Sequence, residues 1–182
     1  MPEIADRYRR HAARFVEKVA AVPADRWDSP SPCEEWTARD VVGHVVSTQG
    51  MFEGLVGREI EPGPAVEDDP VGAVTTAFGQ IQRHLDDPAT ADVEFDGFFG
   101  RSSFAAAVDR FLTFDLVVHG WDLARAAGLD DTIEPDEIPR LTAAVEGFGD
   151  AMRRPGAMGP ALEPPADADD QGRLIALLGR RP

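Results

Sequence analysis

The sequence predicts an all-α protein: a four-helix bundle with one crossover connection and short helical additions at its C-terminal end. Four segments repeat apolar residues at steps of three and four, the period of an amphipathic helix. Apolar–polar alternation is confined to Val93-Glu-Phe95, too short for a sheet protein. The link between the third and fourth periodic segments is long enough to cross back along a bundle.

The first helix carries Ile4, Tyr8, Ala12, Phe15, Val19 and Val22 on one stripe, and Pro23 with Ser29-Pro-Ser-Pro-Cys33 ends it in a loop. The second opens at Thr37, whose spacing to Asp40 resembles a capping box, with Trp36 and Val41 placed as a hydrophobic staple. It continues through His44, Thr48, Phe52 and Leu55 to a stop at Gly57. Residues 60–69 read as an exposed loop. Asp69 then caps a third helix with Pro70 at its first position, running through Val71, Val74, Phe78, Ile81 and Leu85. After a loop that can hold a short strand pair, Ser102 or Ser103 caps an unbroken fourth helix. It runs from Phe104 through Asp115 and His119 to Ala127, with Gly128 as its C-terminal glycine. A less regular helix covers roughly residues 135–153, a Pro-rich wrap follows over 155–168, and a last helix spans 171–178.

Length and composition narrow the classes. The chain has 182 residues and is 43% apolar, which fits one domain over 1–182, with a bundle core of about 1–128 and C-terminal helices and wrap over 129–182. Its formal net charge of −15 argues against nucleic-acid or anionic-membrane partners and favours solubility and cationic counterions. A single cysteine, Cys33, excludes an intrachain disulfide. Apolar runs are far short of a membrane span, and the first residues lack the apolar core of a signal peptide, so a cytoplasmic protein is expected. A homodimer is allowed, without an interface signal to demand it.

The chemistry concentrates in two apolar helices. Asp115 and His119 stand four apart, one above the other on a helix face, among Phe, Leu and Val. A carboxylate in such surroundings needs a compensating cation or hydrogen bonds. His44 sits in a similar setting among valines of the second helix. Two imidazoles and a carboxylate make a common ligand set with a position left open for water or substrate; zinc fits, as do nickel and ferrous iron. The competing reading is a local Asp–His hydrogen bond and a satisfied core histidine.

Other residues carry two readings each. Asp122, three beyond His119, can accept a hydrogen bond from a ligand or pair with Arg125. Thr48, one turn beyond His44, can touch bound solvent or bond its own helix. His11 can line the cavity or sit in the core. His84 reads as a complement to a helix dipole, Cys33 as a redox or metal group or, with no partner cysteine, a packing residue, and Trp36 and Trp121 as core anchors. No phosphate-binding glycine loop, His-Glu-x-x-His or Gly-x-Ser-x-Gly occurs, so no protein nucleophile is assigned.

Three stretches carry a resemblance: Ser31-Pro-Cys-Glu-Glu-Trp-Thr-Ala-Arg-Asp-Val-Val-Gly-His44, Asp115-Leu-Val-Val-His-Gly-Trp-Asp-Leu-Ala-Arg-Ala-Ala-Gly128, and Arg173-Leu-Ile-Ala-Leu-Leu-Gly-Arg-Arg-Pro182. Together they resemble an actinobacterial group of the DinB/YfiT-like superfamily, similar to the N-terminal domain of mycothiol-dependent maleylpyruvate isomerase. The resemblance implies a DinB-like bundle holding a divalent metal through His44, Asp115 and His119, with Asp where isomerase-like sequences have Glu. It implies a metal-bound low-molecular-weight thiol such as mycothiol, acting on a small electrophile in S-transfer. The isomerase carries a further C-terminal domain, and only a short tail follows the bundle here, so maleylpyruvate isomerisation itself is not expected. A non-catalytic metal-binding or stress accessory protein and a metal-assisted hydrolase stay open as alternatives.

Overall fold

A computed structural model describes residues 2–97, 99–153 and 158–182. It is mostly helical, with a single two-stranded sheet among the described residues. No described helix is long and apolar enough to cross a membrane. The chain divides into two compact units, Met1–Asp130 and Asp131–Pro182.

Four long helices organise the first unit. They are α1 (Pro2–Ala21), α2 (Ala38–Leu55), α3 (Pro70–Asp86) and, later in the chain, α6 (Thr113–Ala127). Helix α1 packs on α3 and α6, and α2 packs on the same two. Their apolar stripes meet in a core that includes Tyr8, Phe15, Val41, Val45, Phe78 and Ile81. Burying such side chains stabilises by about 1.5–3 kcal/mol each before conformational entropy is subtracted.

Local chemistry sets the helix ends. Thr37 accepts from the Asp40 N–H at 3.2 Å, and Asp40 accepts from the Thr37 N–H at 2.9 Å, so the capping box forms with Asp in place of Glu. Asp69 accepts from the Gly72 N–H at 2.8 Å ahead of Pro70. Ser103 accepts from the Ala106 N–H. Gly57 and Gly128 close α2 and α6 with φ of 72° and 73°, the left-handed conformation that favours glycine.

Between α3 and α6 lie α4 (Pro88–Ala91), a hairpin of β1 (Glu94–Gly97) and β2 (Gly100–Ser103), and α5 (Phe104–Ala107). Glu94 pairs with Ser103 and Gly97 with Gly100. The expected unbroken helix from Phe104 to Ala127 is interrupted: Val108–Leu112 form a π-helical turn between α5 and α6. One extra residue per turn shifts the register of everything after it. The Thr113 hydroxyl bonds Val108 O at 3.3 Å across that turn. From α1, Arg7 donates to the Asp109 carboxylate at 2.7 Å.

The second unit pairs α7 (Glu137–Phe148), which runs into a 3₁₀ turn over Gly149–Met152, with α8 (Asp170–Leu177). The expected helix over 135–153 is thus shorter and ends tighter. Leu141, Val145, Leu174 and Ile175 are buried. The Gln171 side chain ties the segment before α7, accepting from the Ile133 N–H at 2.7 Å and donating to Asp131 O at 3.2 Å. Gly179 has φ of 79° and lies so close to Pro160 O that a Cβ would stand 2.9 Å from it. Of the Pro-rich wrap, residues 155–157 lie outside the described residues.

Candidate functional site

The site lies where the N-terminal half of α2 faces α6. His44 is in the second turn of α2, its backbone carbonyl bonded by the Ser47 and Thr48 hydroxyls at 2.8 and 2.9 Å. Asp115 and His119 are one turn apart on α6, directly after the π-turn, and their ring and carboxylate meet as the i,i+4 spacing predicts. Asp115 bridges the two imidazoles. Its Oδ1 is 3.3 Å from His119 Nε2 and its Oδ2 is 3.5 Å from His44 Nε2. The two rings stand 4.8 Å apart, nearly edge to face. One donor atom from each of the three residues lies within 4.8 Å of the others.

The far side of His119 is held as tightly. Asp122, fully buried, approaches His119 Nδ1 at 2.9 Å, which turns Nε2 toward Asp115. The Arg125 guanidinium lies over the Trp121 ring at 5.4 Å. The same Asp122 oxygen accepts from the Cys33 thiol at 3.2 Å, and Cys33 Sγ is 3.9 Å from His119 Nδ1. The Trp36 ring lies tilted against His44 with ring centroids 4.7 Å apart, so it does more than anchor the core. Thr48 Oγ1 bonds its own helix and still lies 3.4 Å from His44 Nε2. His11 is buried on α1 and belongs to neither group of converging donors among the described residues.

The electrostatics are those of a coupled pair. Burial raises the Asp115 pKa, but His119 and His44 beside it more than offset this, and the carboxyl is held well below its usual range. For His119, burial lowers the pKa, and the Asp115 charge with hydrogen bonds to Asp115, Asp122 and Cys33 outweighs it, so the ring titrates well above 6.5. Asp115 Oδ2 is buried and has no hydrogen bond of good geometry, with His44 Nε2 at a long 3.5 Å. A divalent cation among these two nitrogens and this oxygen would satisfy that lone pair, so the donor set fits a metal.

Sequence reasoning weighed a redox or metal role for Cys33 and set packing above it, because no partner cysteine exists. It also gave His84 to a helix dipole, whereas His84 Nδ1 meets the buried Glu53 carboxylate at 2.6 Å. Glu53 carried only a weak signal: an acid between Phe52 and Leu55 on an otherwise apolar stretch.

The comparisons with known proteins agree with the motifs. The profile described as mycothiol maleylpyruvate isomerase N-terminal domain matches residues 8–94, which takes in Cys33, Trp36 and His44 and stops before Asp115. Two Mycobacterium tuberculosis proteins are each 31% identical over 180 residues, 95% of this chain and 95% of their own length. They are Uncharacterized protein MT0763 of strain CDC 1551 / Oshkosh and Uncharacterized protein Rv0738 of strain ATCC 25618 / H37Rv. No solved structure matches significantly. With its motifs, its profile match and its near full-length relatives, this chain belongs to the DinB-like family of the mycothiol maleylpyruvate isomerase N-terminal domain.

Proposed function

We propose that the protein binds a divalent metal through His44, Asp115 and His119 and serves thiol S-transfer, with mycothiol or a similar small thiol as cosubstrate and a small electrophile as acceptor. Zinc is the first choice, with nickel or ferrous iron as alternatives. The convergence of three donors from two helices on Asp115 carries the reading. The family description supplies the thiol. In this reading α1, α2, α3 and α6 are the four helices of a DinB-like bundle, supported by the way each pair shares its two neighbours.

A bound metal would supply Lewis acidity that lowers the pKa of a coordinated thiol toward neutrality. The protein's own residues do the positioning. Asp115 orients both imidazoles, and Asp122 fixes the tautomer of His119. Trp36 packs beside the His44 ring and limits how that ring can turn. The Thr48 hydroxyl is placed to touch a ligand beside His44. No side chain is needed as nucleophile. Metal-assisted hydrolysis is less well supported: it needs a base beside the metal, and Asp122 is already engaged by Cys33 and His119.

The test is transfer of a thiol to a chromogenic electrophile by zinc-loaded protein, with His44→Ala alongside. Zinc-dependent transfer that His44→Ala abolishes supports the reading. Stoichiometric zinc with no thiol binding or transfer discards the S-transferase and leaves metal binding alone.

A further inference from the structure

Cys33 and Trp36 arrive at the site on one tight turn. The Trp36 N–H donates to Cys33 O at 3.1 Å, the Ser31 N–H donates to Trp36 O at 2.8 Å, and the Cys33 N–H donates to Ser31 Oγ at 3.2 Å. Glu35, between them, has φ of 65°, a conformation that costs a non-glycine residue free energy and that the surrounding turn enforces. What the turn achieves is a triangle of donors. Cys33 Sγ, Asp122 Oδ2 and His119 Nδ1 are separated by 3.2, 2.9 and 3.9 Å. Ligand atoms on a tetrahedral divalent cation stand roughly 3.3–3.6 Å apart, so shifts of a few tenths of an ångström close the triangle on one. Asp122 is fully buried, so water screens its charge little at this spot. Cys33 is half-buried, which leaves a cation a way in.

We propose that Cys33, His119 and Asp122 form a second cation site, taking a thiophilic divalent ion. Sulfur, imidazole and carboxylate together favour zinc or cadmium over magnesium or calcium. This goes beyond the thiol-transfer reading: it uses the other nitrogen of His119 and neither His44 nor Asp115. Filling it displaces the thiol proton and the ring proton on Nδ1 to solvent. Nε2 keeps its own proton, or takes one from solvent as zinc leaves, with Asp115 Oδ1 as acceptor 3.3 Å away. One imidazole therefore serves one site at a time, and a thiophilic ion at Cys33 withdraws His119 from the His44–Asp115 side.

Cadmium titration read by thiolate-to-cadmium ultraviolet absorption tests this. The variants are His44→Ala, with Asp115→Asn as a second variant lacking the first site, and Asp122→Asn. The band is expected to saturate stoichiometrically in whichever first-site variant folds, and Asp122→Asn is expected to weaken cadmium about tenfold or more. In zinc-loaded wild type, cadmium is expected to release zinc as the band grows. Absence of the band in folded first-site variants, or an unchanged affinity in Asp122→Asn, overturns the proposal. Zinc binding by Cys33→Ser judges the first site separately: if it persists while the cadmium band fails, only the second site is lost.

Discussion

Helix α2 brings an acid and an imidazole together near each of its ends, and the two meetings differ in all but their chemistry. Near the N-terminal end, His44 and Asp115 keep side chains 33% and 20% exposed, and His119 joins them. Nine residues on, roughly 13 Å along the helix, Glu53 is 0% exposed and meets His84 of α3 alone at 2.6 Å. The Phe104 ring packs edge-on to His84. The nearby Tyr8 phenol has its pKa raised, by burial first and then by the Glu53 charge. Among the described residues, no third metal-ligating donor joins Glu53 and His84. That pair is a strut tying α2 to α3. An acid–imidazole contact alone does not mark a site; donors converging from separate elements, with a path left to solvent, do.

The largest effect separates the two ends. His84→Ala leaves Glu53 buried without its partner and is expected to cost about 3–5 kcal/mol of stability. Zinc affinity should stay unchanged under conditions where the variant is folded. Denaturant melts paired with zinc titration check this, and a loss of zinc affinity by folded protein would merge the two ends into one network.

Asp122→Asn comes next. It weakens the hold on His119 without replacing a first-site ligand, and is expected to lower zinc affinity about 10- to 100-fold. Affinity equal to wild type would mean that Asp122 serves only Cys33.

The pH response has opposite signs with and without metal. Zinc needs neutral imidazole, so affinity is expected to fall as pH drops through the raised His119 pKa, a window that begins above 6.5, by up to about tenfold per pH unit. In the metal-free protein the pair favours charged His119. That contribution is complete below 6.5 and is lost as pH rises through the folded-state value. Asp115, held low, contributes above 3.8 and loses its share only as pH falls through its own depressed value. Melting temperature and zinc affinity measured across this range should therefore trend in opposite directions above pH 6.5.

The smallest effect concerns the turn. Glu35→Gly relieves the left-handed backbone and is expected to stabilise by up to about 1 kcal/mol, offset in part by unfolded-chain entropy, with zinc affinity unchanged. A loss of cadmium absorption in this variant would show that the strain holds Cys33 in place.

Much of this was legible in the sequence because helical spacing is local. The i,i+4 relation of Asp115 and His119, the Thr37–Asp40 box, the Asp69-Pro70 start and the Gly128 stop all depend on neighbours within one or two turns. His44 joining the pair is a tertiary fact, reached only through bundle geometry and family resemblance. The π-turn at Val108–Leu112 has no clear signature in those five residues. The contacts of Cys33, Trp36, Glu53 and His84 were not legible for a shared reason: their partners lie at least eight residues away in the chain, where periodicity carries no information.

The central claim is that the His44–Asp115–His119 meeting is a metal site and the Glu53–His84 meeting is not. Zinc titration of wild type, Asp115→Asn and His84→Ala under one set of conditions, folding checked by circular dichroism, tests it most directly. Stoichiometric binding by wild type and folded His84→Ala, with loss in folded Asp115→Asn, is the predicted result. Wild type that binds no zinc, nickel or ferrous iron, or Asp115→Asn that binds as wild type does, would contradict it.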